Sequence, residues 1–304
     1  TTFAILDNEE RIIGILLGKP QDGDKRSPQE CWDACAARIA EAFEKERSTH
    51  EKAFAKKDVH RGDFASVSFG PSYGGGQVAP GNLCVLGAKG KIVKRLLELP
   101  ELQRLAGHQS EGLASFFPKA YHDMRVDLAA LYKGYPEIRP NFVNSAYPTA
   151  AANLGPSTIC VDHIDCSNYP SLPCAITALG AFNPDLGGHL YMWDLKLKIR
   201  FPPGSTILLS SAGIRHGNVP IEADWWPIQP GETRYSFTQY CPGGLRRWVR
   251  HGFRPALSLS KRERDALDGV GDEGLLRQLS RLSKYDELKQ DREWLVAQER
   301  AFAA

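Results

Sequence analysis

Short apolar runs at Phe3 to Leu6 and Ile12 to Leu17 are strand-sized, and a polar stretch separates them from the first helical pattern. There Trp32, Ala36, Ile39 and Phe43 fall on one stripe of a helix. Ser27-Pro28-Gln29-Glu30 ahead of it supplies an N-cap hydroxyl, a proline at the first helical position and a glutamate at the third, a capping box. The charge-rich continuation from Glu44 to Lys57 is expected to be a solvated helical face. From Arg61 to Asn82 the periodicity stops, and Gly74-Gly75-Gly76 with Pro80-Gly81 predict a loop. Two more helices are predicted, Lys91 to Glu98 stopped by Pro100, and Lys119 to Lys133 ended by Gly134. In the second, Tyr121, Met124, Leu128 and Leu131 share a face.

After Pro140 the pattern changes to short strands between turn residues: Thr158 to Val161, Ala175 to Leu179, His189 to Phe201, Thr206 to Ser210 and Glu232 to Tyr240. In the third, Tyr191, Trp193, Leu195, Leu197, Ile199 and Phe201 alternate with polar partners, so one long strand is expected before the turn at Pro202-Pro203-Gly204. Helices first and antiparallel strands afterwards predict an α+β chain whose catalytic part is a β-sandwich or jelly roll. The expected organisation is an N-terminal helical and loop region over residues 1–140, a β core over 141–256, and a charged helical tail over 257–304 with a break at Gly269 to Gly274.

Composition narrows the class. With 304 residues, 42% apolar, 24% charged and a formal charge of +2, the chain is neither collagen-like, disordered nor a coiled coil. No apolar run approaches the roughly 18 residues of a membrane span, so a soluble protein without membrane contact is expected. The chain begins Thr1-Thr2-Phe3 with no signal-type stretch, which suggests a processed or trimmed start. Seven cysteines without paired CxxC knuckles suggest a reducing compartment. The densest basic cluster is Arg246, Arg247, Arg250, His251 and Arg254, interleaved with Trp248 and Phe253. On its own such a run is a solvated face with its tryptophan packed inward.

The candidate chemistry starts at His163-Ile164-Asp165. Strand residues two apart point the same way, so an imidazole and a carboxylate can reach one metal, although an H-x-D match alone is common. His216, just beyond the apolar strand Thr206 to Ser210, can complete a two-His-one-carboxylate set. That set is used by non-haem Fe(II) oxygenases, while ligand identity alone leaves a zinc hydrolase open. Arg234, with Ser236 two residues further along the same strand face, favours the oxygenase. An inward arginine needs an anion, and 2-oxoglutarate offers a distal carboxylate to Arg234 and Ser236 while its other end can chelate iron.

At these residues the chain from about Arg61 to Phe253 resembles the TET/JBP-like Fe(II)/2-oxoglutarate dioxygenases that mushroom-forming fungi carry in expanded numbers, often beside transposons. The carrying stretches are RGDFASVSFGPSYGGGQVAPGN, VDHIDCSNYPSLPCAITALGAFNPDLGGHLYMWDLKLKIRFPPGSTILLSSAGIRHGN and GETRYSFTQYCPGGLRRWVRHGF. The resemblance implies a double-stranded β-helix (jelly-roll) core and O2-dependent oxidation of methylated bases in double-stranded DNA. The base is 5-methylcytosine and, in some fungal members, N6-methyladenine. It places Fe(II) on His163, Asp165 and His216, and 2-oxoglutarate on Arg234 and Ser236, with His189 and Asn153 as further contacts. A methyl group inside a duplex is out of reach, so the base must be flipped into a pocket. Candidate pocket residues are Tyr73, Gly76, Gln77 and Asn168, the last an amide where an acid is expected. Arg246, Arg247 and Arg250 become candidate contacts to the DNA backbone, and Trp225-Trp226 either stacks or packs in the core. A nuclear monomer is expected. Two other readings share these residues: a 2-oxoglutarate oxygenase acting on RNA, protein or a small molecule, and a catalytically silent DNA-binding domain.

Overall fold

A computed structural model describes residues 2–20, 27, 31–54, 62–83, 86–221, 227 and 229–303. Its main sheet has eight strands in the order β1-β2-β9-β6-β11-β5-β3-β4, every pairing antiparallel. These are β1 (Phe3–Leu6), β2 (Ile12–Gly18), β3 (Ser66–Ser72), β4 (Gly81–Leu83), β5 (Thr149–Asn153), β6 (Cys174–Ala181), β9 (Thr206–Leu209) and β11 (Thr233–Tyr240). A second antiparallel sheet has the order β10-β7-β8, from β7 (Leu190–Met192), β8 (Leu197–Ile199) and β10 (Gly217–Asn218).

Residue alternation on the central strands divides the protein into layers. On β11, Tyr235 and Phe237 join a core built with α1 (Trp32–Thr49), α2 (Gly87–Glu98) and α3 (Pro100–Phe116). Arg234, Ser236, Thr238 and Tyr240 line a pocket on the opposite face. On that opposite side Leu190 and Met192 of the small sheet pack with Phe201, Ile207, Leu209 and Ala178. A third core joins β2 to α3, α4 (Pro118–Gly134), α5 (Gly243–Arg250) and α8 (Leu288–Ala303). Two buried amides tie the helical layer to the sheet. Gln109 donates to Thr177 Oγ1 at 2.8 Å, and Gln239 donates to Gln109 Oε1 at 3.0 Å.

The observed helices include the predicted apolar stripes, with Trp32, Ala36, Ile39 and Phe43 all buried. The predicted capping box at 27–30 lies mostly outside the described residues, and the cap of α1 is Cys31, whose sulfur accepts from Ala34 N at 3.4 Å. Glu46, expected in a solvated face, is buried and takes two 2.6 Å bonds from Arg95 of α2. Pro100 ends one helix and begins the next, because a first-turn position needs no N–H. The tail comprises α6 (Lys261–Asp268), α7 (Glu273–Leu279) and α8, with the expected break between the first two. No helix among the described residues is long and apolar enough to cross a membrane.

Several strands depart from expectation. Ser66–Ser72 and Gly81–Leu83, read as loop, are β3 and β4, and Ala-rich β5 was not predicted. Thr158 to Val161 is no strand; the chain meets β11 here through an isolated parallel bridge at Ser157 and Arg234. The expected long strand from His189 to Phe201 folds back on itself as β7 and β8. A 3-10 turn at Trp193–Leu195 and a left-handed Lys196 (φ 53°) separate them.

His108 of α3 sits edge-on against Trp32 at 4.9 Å, and burial pushes its pKa down to about 4 despite a bond with the Gly18 backbone, which raises it. The folded state therefore holds His108 neutral where the unfolded chain protonates it. Stability from this residue is complete above about pH 6.5 and falls as pH drops toward 4. Urea unfolding of wild type and His108→Gln between pH 7 and 4.5 should show a shallower loss in the variant.

Candidate metal centre and its pocket

His163 and His216 lie on separate segments joined by a reciprocal backbone pair, with His163 N to His216 O and His216 N to His163 O both 3.0 Å. Opposed residues of an antiparallel pair project to one face, so the two rings lie 4.5 Å apart. Each ring is oriented the same way. His163 Nδ1 meets Val161 O at 2.7 Å and His216 Nδ1 meets Ile214 O at 2.9 Å. A carbonyl can only accept, so Nδ1 carries the proton and Nε2 presents its lone pair. Asp165 is fixed by its own amide, which donates to Ser211 O at 3.0 Å. Its Oδ1 lies 3.6 Å from His163 Nε2, and its Oδ2 lies 4.0 Å from His216 Nε2. Ligand atoms of all three residues fall within 4.8 Å of one another. Two neutral imidazoles and one carboxylate at this spacing fit a divalent transition metal bound from one side.

Arg234 stands on β11 opposite Gly180 of β6. A side chain at Gly180 would meet Thr233 O at 2.2 Å, and its φ of +109° suits only glycine, so the strands close tightly at this point. The guanidinium is buried, and desolvation pushes its pKa down to about 10, so it stays charged at neutral pH. Nη1 donates to Thr158 O at 2.8 Å and the Phe182 ring lies 6.0 Å away, but Nε has no hydrogen-bond partner among the described residues. Ser236 is buried two residues along, where it accepts from Asn153 Nδ2 at 2.8 Å across the β11–β5 pair. The Cys160 sulfhydryl also favours the charge on Arg234, though burial dominates.

One pocket joins the two groups. Its lining includes His163, Asp165, Asn168, His216, Arg234, Ser236 and Asn153, with Phe64, Ile176, Leu190 and Phe201 as apolar wall. Asn218, next but one to His216, ties the far side together: its Oδ1 accepts from Cys160 N at 2.8 Å, and its Nδ2 donates to Thr158 O at 3.2 Å.

The other predicted residues lie elsewhere. His189 is buried at the start of the small sheet, outside the pocket lining; burial lowers its pKa and nearby Lys198 adds to that. Gly76 and Gln77 are exposed, and Tyr73 packs on Trp248 with ring centres 4.7 Å apart; none of the three lines the pocket. The Trp225-Trp226 pair lies outside the described residues. Of the basic cluster, Arg247 is exposed, but Arg246 is not available to a phosphate. It is wholly buried, its Nε is 2.7 Å from Asp127 and its Nη2 is 2.8 Å from Asp123, and its guanidinium lies 4.0 Å from the centre of the Tyr169 ring. Arg250, half-buried, bonds the same two carboxylates at 2.8 and 2.7 Å, and Arg281 reaches Asp123 at 2.5 Å. The predicted backbone contact at Arg246 is thus part of an internal ion network that Arg250, partly exposed, shares, because α4 places acidic residues against α5. Residues that the sequence did not single out include Cys174 and Cys160, which line the pocket, and Ser211, which bonds Cys174. For Cys174 the signal was its strand: Cys174, Ile176 and Ala178 alternate with residues facing the helices.

No protein-family model matches the chain, and no curated protein matches it. Among solved structures, "NgTET1 in complex with 5mC DNA in space group P3221" matches at a TM-score of 0.52 and 14% identity, covering 81% of this chain and 78% of that one. The likeness is one of fold: antiparallel sheets and helices arranged as in a TET enzyme.

Breaking the buried ion network should cost stability. Arg246→Met is expected to lose about 3 to 5 kcal/mol in urea unfolding because carboxylates are left in a site built for a cation. Arg247→Ala on the same helix should stay within about 0.5 kcal/mol of wild type.

Proposed function

We propose that the chain is an Fe(II)/2-oxoglutarate-dependent dioxygenase of the TET/JBP kind, on a double-stranded β-helix core, that oxidises methylated bases in double-stranded DNA. The reading extends to the fungal, transposon-associated members, to 5-methylcytosine with N6-methyladenine as a second substrate, and to a monomer acting in the nucleus. The observation that carries it is the pairing of a cluster that could hold a metal with a buried guanidinium that lines the same pocket and whose Nε has no hydrogen-bond partner among the described residues. The likeness of fold to a protein solved with 5-methylcytosine DNA supports the substrate class.

Iron, 2-oxoglutarate and O2, when bound, supply the oxidation that turns a methyl C–H into a hydroxymethyl group. The chain's own residues position and shield. His163, Asp165 and His216 would hold the metal. Arg234 and Ser236 take the distal carboxylate of 2-oxoglutarate, which answers the desolvated charge, and Asn153 keeps the Ser236 hydroxyl turned for that task. Phe64, Ile176, Leu190 and Phe201 exclude water from the reacting region. Asn168, at the rim of the metal cluster, offers its amide to the edge of a flipped base. Arg247 is the member of the basic cluster placed to meet a phosphate.

Two outcomes test this. Asp165→Ala should abolish oxidised nucleosides, read by mass spectrometry after incubation of methylated duplex with Fe(II), ascorbate and 2-oxoglutarate, while DNA retention persists; unchanged turnover removes the metal assignment. Arg234→Ala should raise the 2-oxoglutarate KM roughly 10- to 150-fold, the equivalent of about 1.5 to 3 kcal/mol for a charge-assisted bond. Wild type should gain thermal stability from 2-oxoglutarate plus metal, and the Arg234 variant should not at equal concentrations.

A further inference from the structure

Cys174 begins β6 with no exposed surface, and three polar groups converge on its sulfur. Ser211 Oγ lies at 2.8 Å, Asn168 Nδ2 at 3.1 Å, and Asp165 Oδ2 at 3.9 Å. A thiol has one proton to give. The Asp165 carboxylate can only accept, so the thiol proton points to Oδ2, and the sulfur's lone pairs remain for the Ser211 hydroxyl and the Asn168 amide. The sulfur is therefore an acceptor toward Asn168, and only the NH2 end of that amide satisfies it. A flipped amide would set oxygen against sulfur lone pairs in a buried site and forfeit the bond. The backbone holds the same group in place: Asn168 N donates to Asp165 O at 2.9 Å, and Gly243 N to Ser167 O at 2.8 Å. With Nδ2 engaged below, Oδ1 is the amide atom left for the pocket that Asn168 lines.

We infer that Cys174, supported by Ser211, is a positioning residue that locks Asn168 with its carbonyl oxygen toward the pocket, so that the site selects bases bearing an exocyclic N–H and rejects thymine. Thymine carries its methyl group at the same ring position as 5-methylcytosine but a carbonyl where cytosine has its amino group. Against Asn168 Oδ1 that carbonyl meets oxygen with oxygen, whereas an amino group donates. The inference rests on the methylated-base reading above and names the edge of the base that the site reads. It also makes the base-reading residue and the metal-holding carboxylate share one sulfur.

The test is a ratio. The affinity of metal-free protein is measured for two duplexes that differ at one central position, 5-methylcytosine paired with guanine or thymine paired with adenine, for wild type, Cys174→Ala, Cys174→Ser and the double variant Asn168→Asp/Cys174→Ala. The cost of unpairing each base belongs to the DNA and cancels when ratios are compared between proteins. Cys174→Ala is expected to shrink the preference for 5-methylcytosine about tenfold, the loss of one buried directional bond. Cys174→Ser keeps one donor and two lone pairs and should restore most of it. The double variant should also keep it, because either carboxylate oxygen accepts. A sulfur that merely fills space would weaken both duplexes alike, leave the ratio unmoved and overturn the inference, as would a wild type that binds the two duplexes equally. Parallel oxidation assays separate the two proposals. Oxidised 5-methylcytosine with an unmoved ratio sinks the lock and leaves the function standing; a moved ratio without oxidised base does the reverse.

Discussion

A guanidinium taken out of water dictates the arrangement around it. Arg234 stays charged although buried, and its own chain gives it one carbonyl, Thr158 O. Holding that carbonyl in place requires the 156–158 segment to run beside β11, which it does through Arg234 N to Pro156 O and Thr158 N to Arg234 O. Asn218 donates to the same carbonyl, and Asn218 lies on β10, which begins immediately after His216. Gly180 lets β6 approach closely enough to close the site from the other side. The position of one desolvated charge is thereby linked to the position of His216, so the Arg234 end of the pocket and its His163, Asp165 and His216 end are braced against each other.

What the sequence made legible follows the same physics. Period-two alternation on β11 marked Arg234 and Ser236 as neighbours on one face, and a histidine on the segment just after an apolar strand marked His216. Those signals survive because burial on one face imposes them locally. The missed elements had no such local signature. β5 has alanine, a residue of weak strand preference, at three of its five positions, and becomes a strand because β11 and β3 flank it. The β7–β8 hairpin lacks Gly, Pro or Asn at its turn; Lys196 takes the left-handed conformation instead, so alternation alone suggested one long strand. α3 was hidden because Pro100 looked like a stop when it was also a start. For Cys174, strand alternation marks only the face it occupies; its contacts with Ser211 and Asn168 arise on folding.

A TET-like fold at 14% identity shows how little of the chain the arrangement needs to fix. The helical layer is held by interchangeable apolar contacts, with a few satisfied amides such as Gln109 and Gln239 fixing register. The pocket depends on a handful of side chains with directional bonds, and these determine chemistry on a scaffold that many activities can share.

The ion network between α4 and α5 carries a consequence for any polyanion the protein meets. Affinity for such a partner falls with added salt only through charges that displace its condensed counterions. Arg246 has its charge answered internally by Asp123 and Asp127 and contributes none, and Arg250 is largely committed to the same pair. Two of the three arginines of α5 thus have their charge largely answered within the protein, and Arg247 is the one left exposed. The salt dependence of binding any such partner through α5 is then set by fewer charges than its sequence counts.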